Sequence, residues 1–142
     1  MRKFEKLVDD VTLPKRQTKY SAGYDFYAYE DTLIKSKTMQ IIKTNVKCMM
    51  EEDEFLAIYL RSSLGIKHGL MLANQTGIID KDYYGNKDND GHIMVALYNN
   101  SDKDFLLRKN ERFCQGIFQK YYLTDDDDVN SVRDGGIGST NI

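Results

Sequence analysis

The sequence is poor in the side chains that bind structural metals or form disulfides. Two cysteines, Cys48 and Cys114, lie far apart without a Cys-x-x-Cys pair, and His68 and His92 are the two histidines. Zinc sites and disulfide frameworks depend on clusters of these residues, so we expect neither here.

Long apolar stretches are missing as well. No segment approaches the roughly 18 uninterrupted apolar residues that would span a bilayer. The chain is already charged between Met1 and Lys6, before any apolar run begins. We therefore expect no signal peptide, no membrane span and a cytoplasmic protein.

The charge balance argues against a further class of partner. The chain has 20 basic and 22 acidic residues, a net charge of -2 and a pI of about 5.7. Broad electrostatic attraction to nucleic acid or to an anionic membrane is not expected at this charge. A polyanionic ligand must therefore be small and held locally.

The composition predicts one packed domain: 142 residues, of which 41% are hydrophobic and 11% aromatic. Short apolar runs rich in β-branched and aromatic residues alternate with turn-forming residues. They predict strands at residues 38–48, 55–60, 70–73, 93–98 and 113–122. No apolar stripe at helical spacing exceeds two turns, although Arg61 to His68 could hold a short helix or a loop. We predict an all-β domain, a sandwich or a barrel.

The C-terminal residues differ from the rest of the chain. Four aspartates, Asp125 to Asp128, precede a glycine-rich segment with little to bury. Composition favours a frayed tail. The same segment also suits phosphate binding, because glycines expose their amide groups and Ser139 and Thr140 add hydroxyls close to Arg133. Composition does not choose between these two interpretations.

Asp80 is a candidate for activating water. It follows Gly77, Ile78 and Ile79, which would place its carboxylate at the edge of a buried strand, where desolvation could adjust its basicity. Tyr83 lies three residues further on and offers a flat ring against a sugar. A β-hairpin turn with solvated aspartates explains the same pattern about equally well.

A second candidate is a possible phosphate cradle. Arg61, Ser62 and Ser63 directly follow a predicted strand. Arginine presents a planar fork to phosphate oxygens, and hydroxyls and strand-end amides could complete the contacts. An Arg-Ser-Ser tripeptide is more often part of an ordinary surface turn than of a phosphate-binding site.

Two polar side chains lie among apolar neighbours in predicted strands. Gln115 would share one strand face with Phe113 and Ile117, and its amide needs partners, either the backbone or a ligand oxygen. Asp25 lies in an aromatic-rich strand and is either a structural acceptor or an outer-shell partner of a bound cation.

These segments occur in the order that is typical of one enzyme family. Five of them together resemble the five motifs of the trimeric deoxyuridine triphosphatase (dUTPase) family: residues 22–28, 61–65, 77–85, 111–115 and 135–140. The resemblance implies a distorted jelly-roll, or β-clip, barrel at residues 1–124 and a flexible arm at 125–142 that closes over an active site. It also implies a homotrimer with three shared active sites and Mg²⁺-dependent hydrolysis of dUTP to dUMP and pyrophosphate. Such an enzyme would limit uracil in DNA and supply dUMP for thymidylate synthesis.

The resemblance also assigns roles to individual residues. Asp80 matches the aspartate that activates the attacking water, and Tyr83 matches the tyrosine that packs on deoxyribose and excludes a ribose 2′-hydroxyl. Asn74 and the backbone of residues 77–79 match the hairpin that reads uracil. The phosphate contacts match Arg61, Ser62 and Gln115 with Ser63 beside them, and the arm over the γ-phosphate matches Arg133, Gly138, Ser139 and Thr140. Asp25 would have a supporting role near the interface or in the water shell of the metal.

The sequence departs from the family pattern at several positions. Ile137 replaces an aromatic residue that usually stacks on uracil, and Arg133 lies one residue closer to the glycine pair than expected. Lys87 to Gly91 has the character of an inserted loop. These features are similar to those of phage and Gram-positive members, and a phage-encoded chain would work in the host cytoplasm.

Two alternatives share the fold. A dCTP deaminase also carries Arg-Ser-Ser-Leu after a strand, but Ala96 and Ile66 occupy the positions of its required glutamate and arginine. Deamination needs that acid to transfer protons to the leaving amine. A non-catalytic, nucleotide-sensing regulatory protein is the other alternative, and the presence of Asp80, Tyr83 and Gln115 argues against it.

Overall fold

The chain folds into short β-strands with very little helix. A computed structural model describes residues 1–138. Within this range the strands are β1 (Lys3–Lys6), β2 (Tyr24–Tyr27), β3 (Thr32–Ile34), β4 (Met39–Lys43), β5 (Val46–Met49), β6 (Glu54–Leu60), β7 (Leu70–Leu72), β8 (Gly77–Asp80), β9 (Met94–Asn99), β10 (Phe105–Leu107) and β11 (Arg112–Lys120). One α-helix, α1 (Ser62–His68), and one 3-10 turn (Lys81–Tyr83) complete the described elements. The all-β prediction is confirmed.

The strands of residues 1–138 form four antiparallel sheets. The largest has the order β2-β11-β6-β8, and a three-stranded sheet has the order β4-β9-β7. Two smaller sheets pair β1 with β5 and β3 with β10. Strands that are distant in sequence therefore lie side by side, and β8 is at an edge of the largest sheet.

The inward faces of these sheets form one hydrophobic core. Phe26 and Phe113 contribute from the largest sheet, Leu97 from the three-stranded sheet, and Ile34 and Leu107 from a small one; each is at most 1% exposed. Burying each such side chain stabilises the fold by about 1.5–3 kcal/mol. This core fixes the strands that carry the polar residues discussed below.

The structure differs from the predicted strand at residues 38–48 and decides between helix and loop after Arg61. The predicted strand 38–48 is wrong as a single strand, because the chain breaks between β4 and β5, where Asn45 has a φ of 60° and the Thr44 hydroxyl donates to the Ile93 carbonyl at 2.6 Å. The segment after Arg61 is helix rather than loop, and α1 ends at Gly69, whose φ of 68° places it in the left-handed region.

The predicted face of β11 was also wrong. The pairing of β11 with β2 shifts register between Arg112 and Cys114, so Phe113 and Cys114 are both fully buried. A β-bulge interrupts the alternation of side chains in this way. Gln115 consequently does not share a face with Phe113 and is half-buried.

The chain after β11 has no further strand or helix as far as Gly138, the last residue that the structure describes. Over the same residues, no helix is long and apolar enough to cross a membrane.

Candidate active site

Asp80 ends β8 at an exposed edge of the largest sheet. Its carboxylate side chain is 53% exposed, and Ile78 is 56% exposed. The expectation of a buried strand before Asp80 was therefore wrong, because β8 pairs with β6 on one side and forms the edge of the sheet on the other. Any desolvation of Asp80 must come from a group that covers this edge.

A pocket of about 520 Å³ lies beside Asp80. Its walls combine the turn between β7 and β8, the 3-10 turn and the C-terminal segment; the predicted hairpin is a turn between two sheets, because β7 pairs with β9 and β8 with β6. The predicted residues that line it are Asn74, Gly77, Ile78, Ile79, Asp80, Tyr83, Arg133 and Gly138, together with Ile137. The structure thus brings the predicted base-reading, sugar-packing and water-activating residues around one cavity.

The wall formed by β8 depends on a glycine. A Cβ atom on Gly77 would lie 3.0 Å from the Cβ atom of Ile58 on the neighbouring strand β6. The missing side chain of Gly77 lets the backbone of β8 approach β6 this closely, whereas a larger residue would have to displace Ile58. Gly77 therefore sets the position of the strand that leads to Asp80.

Arg133 carries the C-terminal segment into the pocket. Its Nη2 lies 2.8 Å from Asp80 Oδ2 and its Nε lies 2.9 Å from Asp82 Oδ1. The guanidinium carbon is 5.8 Å from the centre of the Tyr83 ring, and the side chain is only 10% exposed. Charge-assisted hydrogen bonds of this length hold the segment over its own chain.

Tyr83 forms the inner wall of the pocket and is 6% exposed. Its hydroxyl donates to the His92 carbonyl at 2.6 Å and accepts from Asn89 Nδ2 at 2.8 Å. Burial raises the pKa of Tyr83 above its ordinary value, so the ring carries a neutral hydroxyl. The Tyr83 ring is therefore held at one end by its attachment to the main chain and at the other by the two hydrogen bonds of its hydroxyl group.

The loop at residues 86–91 receives the C-terminal segment. Asp88 Oδ2 accepts from the Gly136 backbone N–H at 2.7 Å, and Lys87 Nζ lies 3.7 Å from Asp134. A Cβ atom on Gly136 would lie 3.1 Å from Asn89 Nδ2. The sequence predicts an inserted loop at residues 87–91 but not its contacts with the C-terminal segment, because asparagine and aspartate are ordinary turn residues.

The other predicted residues form a second group at the opposite end of β6. Arg61 follows the last residue of β6, whereas Asp80 pairs with Phe55 near its start. Arg61 lies six residues beyond Phe55, so at about 3.3 Å per residue the backbones of Arg61 and Asp80 are roughly 20 Å apart along the sheet. Ser62 and Ser63 begin α1 beside Arg61. A single chain therefore does not bring Arg61 and Asp80 to one small ligand.

Gln115 and Asp25 belong to this second group. They face each other in the pairing of β11 with β2. Asp25 Oδ2 lies 3.2 Å from Arg112 Nη1, and a Cβ atom on Gly23 would lie 2.1 Å from Gln115 Oε1. The Gly23 backbone thus leaves space for the Gln115 amide.

Asp25 is predicted to support a bound metal ion, but its carboxylate already pairs with Arg112. Among the described residues no group of three or more histidine, cysteine, aspartate or glutamate side chains could hold an ion. The Asp25 side chain is 14% exposed and paired with Arg112. Mg²⁺ commonly uses one or two carboxylates plus substrate phosphates and keeps several waters. The donors present would therefore suit an ion held mainly by phosphate oxygens rather than by a cage of protein ligands.

Ser139 and Thr140 were predicted to contact the terminal phosphate. They lie outside the described residues, so these two assignments stay predictions.

Comparison with known proteins connects the chain to one family. The dUTPase family model matches residues 9–141 of this chain. The deoxyuridine 5'-triphosphate nucleotidohydrolase of Lactococcus lactis is 41% identical over 132 residues, which cover 92% of this chain and 88% of that protein.

Solved structures agree with this similarity. The dUTPase of Streptococcus mutans has 41% sequence identity and a TM-score of 0.79, covering 86% of this chain and 98% of that one. A dUTPase variant from phage phi11 of S. aureus, described with a structural Mg(II) ion, has 18% identity and a TM-score of 0.77 over 92% of this chain and 97% of its own. At that identity the likeness supports the fold alone.

Proposed function

This chain belongs to the dUTPase family and has its jelly-roll fold, and from this premise we propose how its residues hydrolyse dUTP to dUMP and pyrophosphate. The proposal places the nucleotide in the pocket beside Asp80. The observation that carries it is the convergence of Asn74, the β8 backbone, Asp80 and Tyr83 on one cavity.

Asp80 is the proposed general base. Its exposed carboxylate lies at the pocket edge, where it can accept a proton from water. That water attacks the α-phosphorus: a new P–O bond to the water oxygen forms while the bond from the α-phosphorus to the bridging oxygen breaks, so pyrophosphate leaves and dUMP keeps the new oxygen. Holding water and phosphorus in line is the main task of the protein in such a reaction.

Arg133 is proposed to exchange partners when substrate binds. In the free chain its guanidinium is held by Asp80 and Asp82. A triphosphate carries more negative charge than these two carboxylates, and the planar guanidinium group of arginine matches the geometry of phosphate oxygens. The exchange would release Asp80 for water and hold the arm over the substrate, excluding bulk solvent. Gly138, with a φ of 79°, lines the same pocket and would bring an exposed amide near the phosphates. Ser139 and Thr140, further along the arm, are proposed to add hydroxyl contacts.

The base and sugar contacts follow from the pocket walls. As an edge strand, β8 presents a row of backbone groups at its outer side, which can read the polar edge of uracil together with Asn74. Tyr83 lines the same cavity, where its ring would pack on the deoxyribose. Ile137, which is 70% exposed, would cover the base where an aromatic residue is usual.

Mg²⁺ is the proposed cofactor. When bound it would spread the negative charge of the triphosphate. The triphosphate oxygens would hold it, with Asp25 at most in contact through water, since Arg112 already pairs with this carboxylate.

A homotrimer with shared sites is proposed to complete the active site. The outer face of the β4-β9-β7 sheet is largely apolar: Met39, Ile41, Met71, Met94, Ala96 and Tyr98 lie on it by register, and the charged Lys43 lies opposite Met94 at one end. Ile41 is 54% exposed and Met39 is 50% exposed, an arrangement that usually marks an interaction surface. Ile41, Met94 and Ala96 also line the pocket. Association through this face would place a neighbour next to the pocket, where Arg61, Ser62, Ser63 and Gln115 of that neighbour could reach the phosphates.

Mixed trimers test this arrangement. Arg61→Ala and Asp80→Asn chains are each expected to be inactive alone. When they are unfolded and refolded together, activity should return, because a site can combine Asp80 of one chain with Arg61 of another. No recovery in mixtures that do form hetero-oligomers would contradict shared sites.

A substrate panel tests the reaction itself. Pyrophosphate release should be observed with dUTP and depend on Mg²⁺, and it should be much slower with UTP, dTTP and dCTP. Ammonia release from dCTP without dUTP cleavage would instead support a deaminase. We place this activity in the cytoplasm, where it would limit uracil in DNA and supply dUMP; for a phage-encoded chain that is the host cytoplasm.

A further inference from the structure

The loop at residues 86–91 holds Tyr83 more closely than its turn-like sequence suggests. We propose that Asn89, supported by Asn86, is a positioning residue for Tyr83 and thereby sets the preference for deoxyribose over ribose. The inference rests on the proposed function, because it takes the Tyr83 ring as the surface that packs on the sugar.

The Tyr83 hydroxyl has one donor and one acceptor around it. It donates to the His92 carbonyl at 2.6 Å and accepts from Asn89 Nδ2 at 2.8 Å. These two bonds point the hydroxyl in a single direction. They also oppose rotation of the ring, which otherwise turns freely between broad wells.

The orientation of the Asn89 amide follows from its other contacts. Its Oδ1 accepts from Asn86 Nδ2 at 2.7 Å and from the Gly91 backbone N–H at 3.1 Å. With the oxygen facing two donors, the amide nitrogen must face Tyr83. The assignment of oxygen and nitrogen is therefore determined by the network rather than arbitrary.

Asn86 in turn supports Asn89. It is 7% exposed, and its Nδ2 also donates to the Tyr83 carbonyl at 2.7 Å. Its Oδ1 accepts from the backbone N–H groups of Asp88 at 3.0 Å and Asn89 at 3.2 Å. One buried amide thus connects the backbone of Tyr83 to the side chain that holds its hydroxyl, and such fully satisfied networks are rigid.

Rigidity of this wall matters for sugar selection. Discrimination against a ribose depends on a wall that does not yield to one additional oxygen atom. Misplacement of a positioned group by about 1 Å can change rates by about 100-fold. A ring released at its hydroxyl end would make room for the 2′-hydroxyl, and UTP would become a better substrate.

The test compares kcat/KM for dUTP and UTP, measured by pyrophosphate release. Asn89→Asp keeps the size of the side chain but replaces the donor with an acceptor, so the Tyr83 hydroxyl loses the bond that Asn89 gives it. We expect the dUTP to UTP ratio of kcat/KM to fall about 10-fold, mainly because UTP turnover rises. Asn100→Ala, at an exposed position after β9, is the matched control and should leave the ratio unchanged.

A second variant covers the case in which changes at Asn89 prevent folding. Tyr83→Phe keeps the ring and removes the hydroxyl, so it should lower the ratio by a similar factor. If Asn89→Ala folds, it should add less than twofold in that background, because the bond between the two side chains is already gone. Additive effects of the two changes would contradict the proposal.

The remaining outcomes are distinguishable. A ratio within twofold of the unchanged chain in Asn89→Asp, or in Tyr83→Phe if Asn89→Asp does not fold, would overturn the positioning role while leaving dUTP hydrolysis intact. Absence of pyrophosphate release from dUTP by the unchanged chain would instead overturn the proposed function.

Discussion

The contact between the arm and the 86–91 loop gives the sharpest quantitative prediction. Replacing Asp88 with alanine removes the acceptor of the 2.7 Å bond from the Gly136 N–H. The 86–91 loop itself should stay folded, because Asn86 binds the Asp88 backbone and not its side chain. The change should therefore loosen the closed arm without disturbing the pocket walls.

The size of the effect follows from geometry and exposure. A hydrogen bond to a charged group contributes about 1.5–3 kcal/mol, and the exposure of Asp88 reduces this to about 1 kcal/mol. Since 1.4 kcal/mol corresponds to a factor of ten, kcat/KM for dUTP should fall about fivefold. The Lys87 to Asp134 pair is longer, at 3.7 Å, and its side chains are 77% and 76% exposed. Lys87→Ala should therefore change kcat/KM by less than about twofold.

The assay compares each change in the full chain and in a chain truncated before Arg133. Truncation should leave the fold intact and strongly reduce turnover, because the arm can no longer cover Asp80. Asp88→Ala should have no further effect in the truncated chain. An equal loss in both chains, or no loss in the full chain, would refute the reasoning that Asp88 acts through the arm.

Three further predictions concern stability. Burial lowers the pKa of His92, and its Nε2 accepts a hydrogen bond from the Asn45 backbone N–H at 2.8 Å. Because the folded chain favours neutral His92, the free energy of unfolding should decline as the pH falls below about 6.5. The urea midpoint should decline less over this pH range in His92→Gln. The hydrogen bond from Arg2 lowers the pKa of Glu54 in the folded chain. The stability that this pair contributes should therefore be present above about pH 4.5 and be lost as the pH falls through the folded pKa of Glu54. Glu54→Gln should flatten the acid unfolding curve over this pH range. Gly77→Ala should cost about 1–3 kcal/mol in urea unfolding, because the added methyl group would overlap β6, and an unchanged midpoint would contradict the close packing at that position.

Much of the framework follows from local patterns in the sequence. Short apolar runs bounded by turn residues located β6, β7, β9 and β11, since composition and turn residues are local properties of the sequence. The order of the motifs singled out Asp80, Tyr83 and Asn74, and the structure places all three around one pocket.

The remaining features depend on contacts that local patterns do not record. The β-bulge at Phe113 arises from pairing with β2, and the exposure of Asp80 arises from the edge position of β8. The pairing of Arg133 with Asp80 joins residues far apart in the chain. Asn86 and Asn89 have the composition of an ordinary turn, so their bonds to Tyr83 were not predictable from their residue types.

The central claim is that Asp80 activates water for dUTP hydrolysis, and one measurement tests it most directly. Pyrophosphate release from dUTP with Mg²⁺ should be lost in Asp80→Asn, whereas Mg²⁺-dependent binding of dUTP should persist, because the change removes the base but keeps the pocket. Asp82→Asn is the matched control: it alters the neighbouring aspartate that also holds Arg133 and should retain most turnover. Unchanged turnover in Asp80→Asn would contradict the claim.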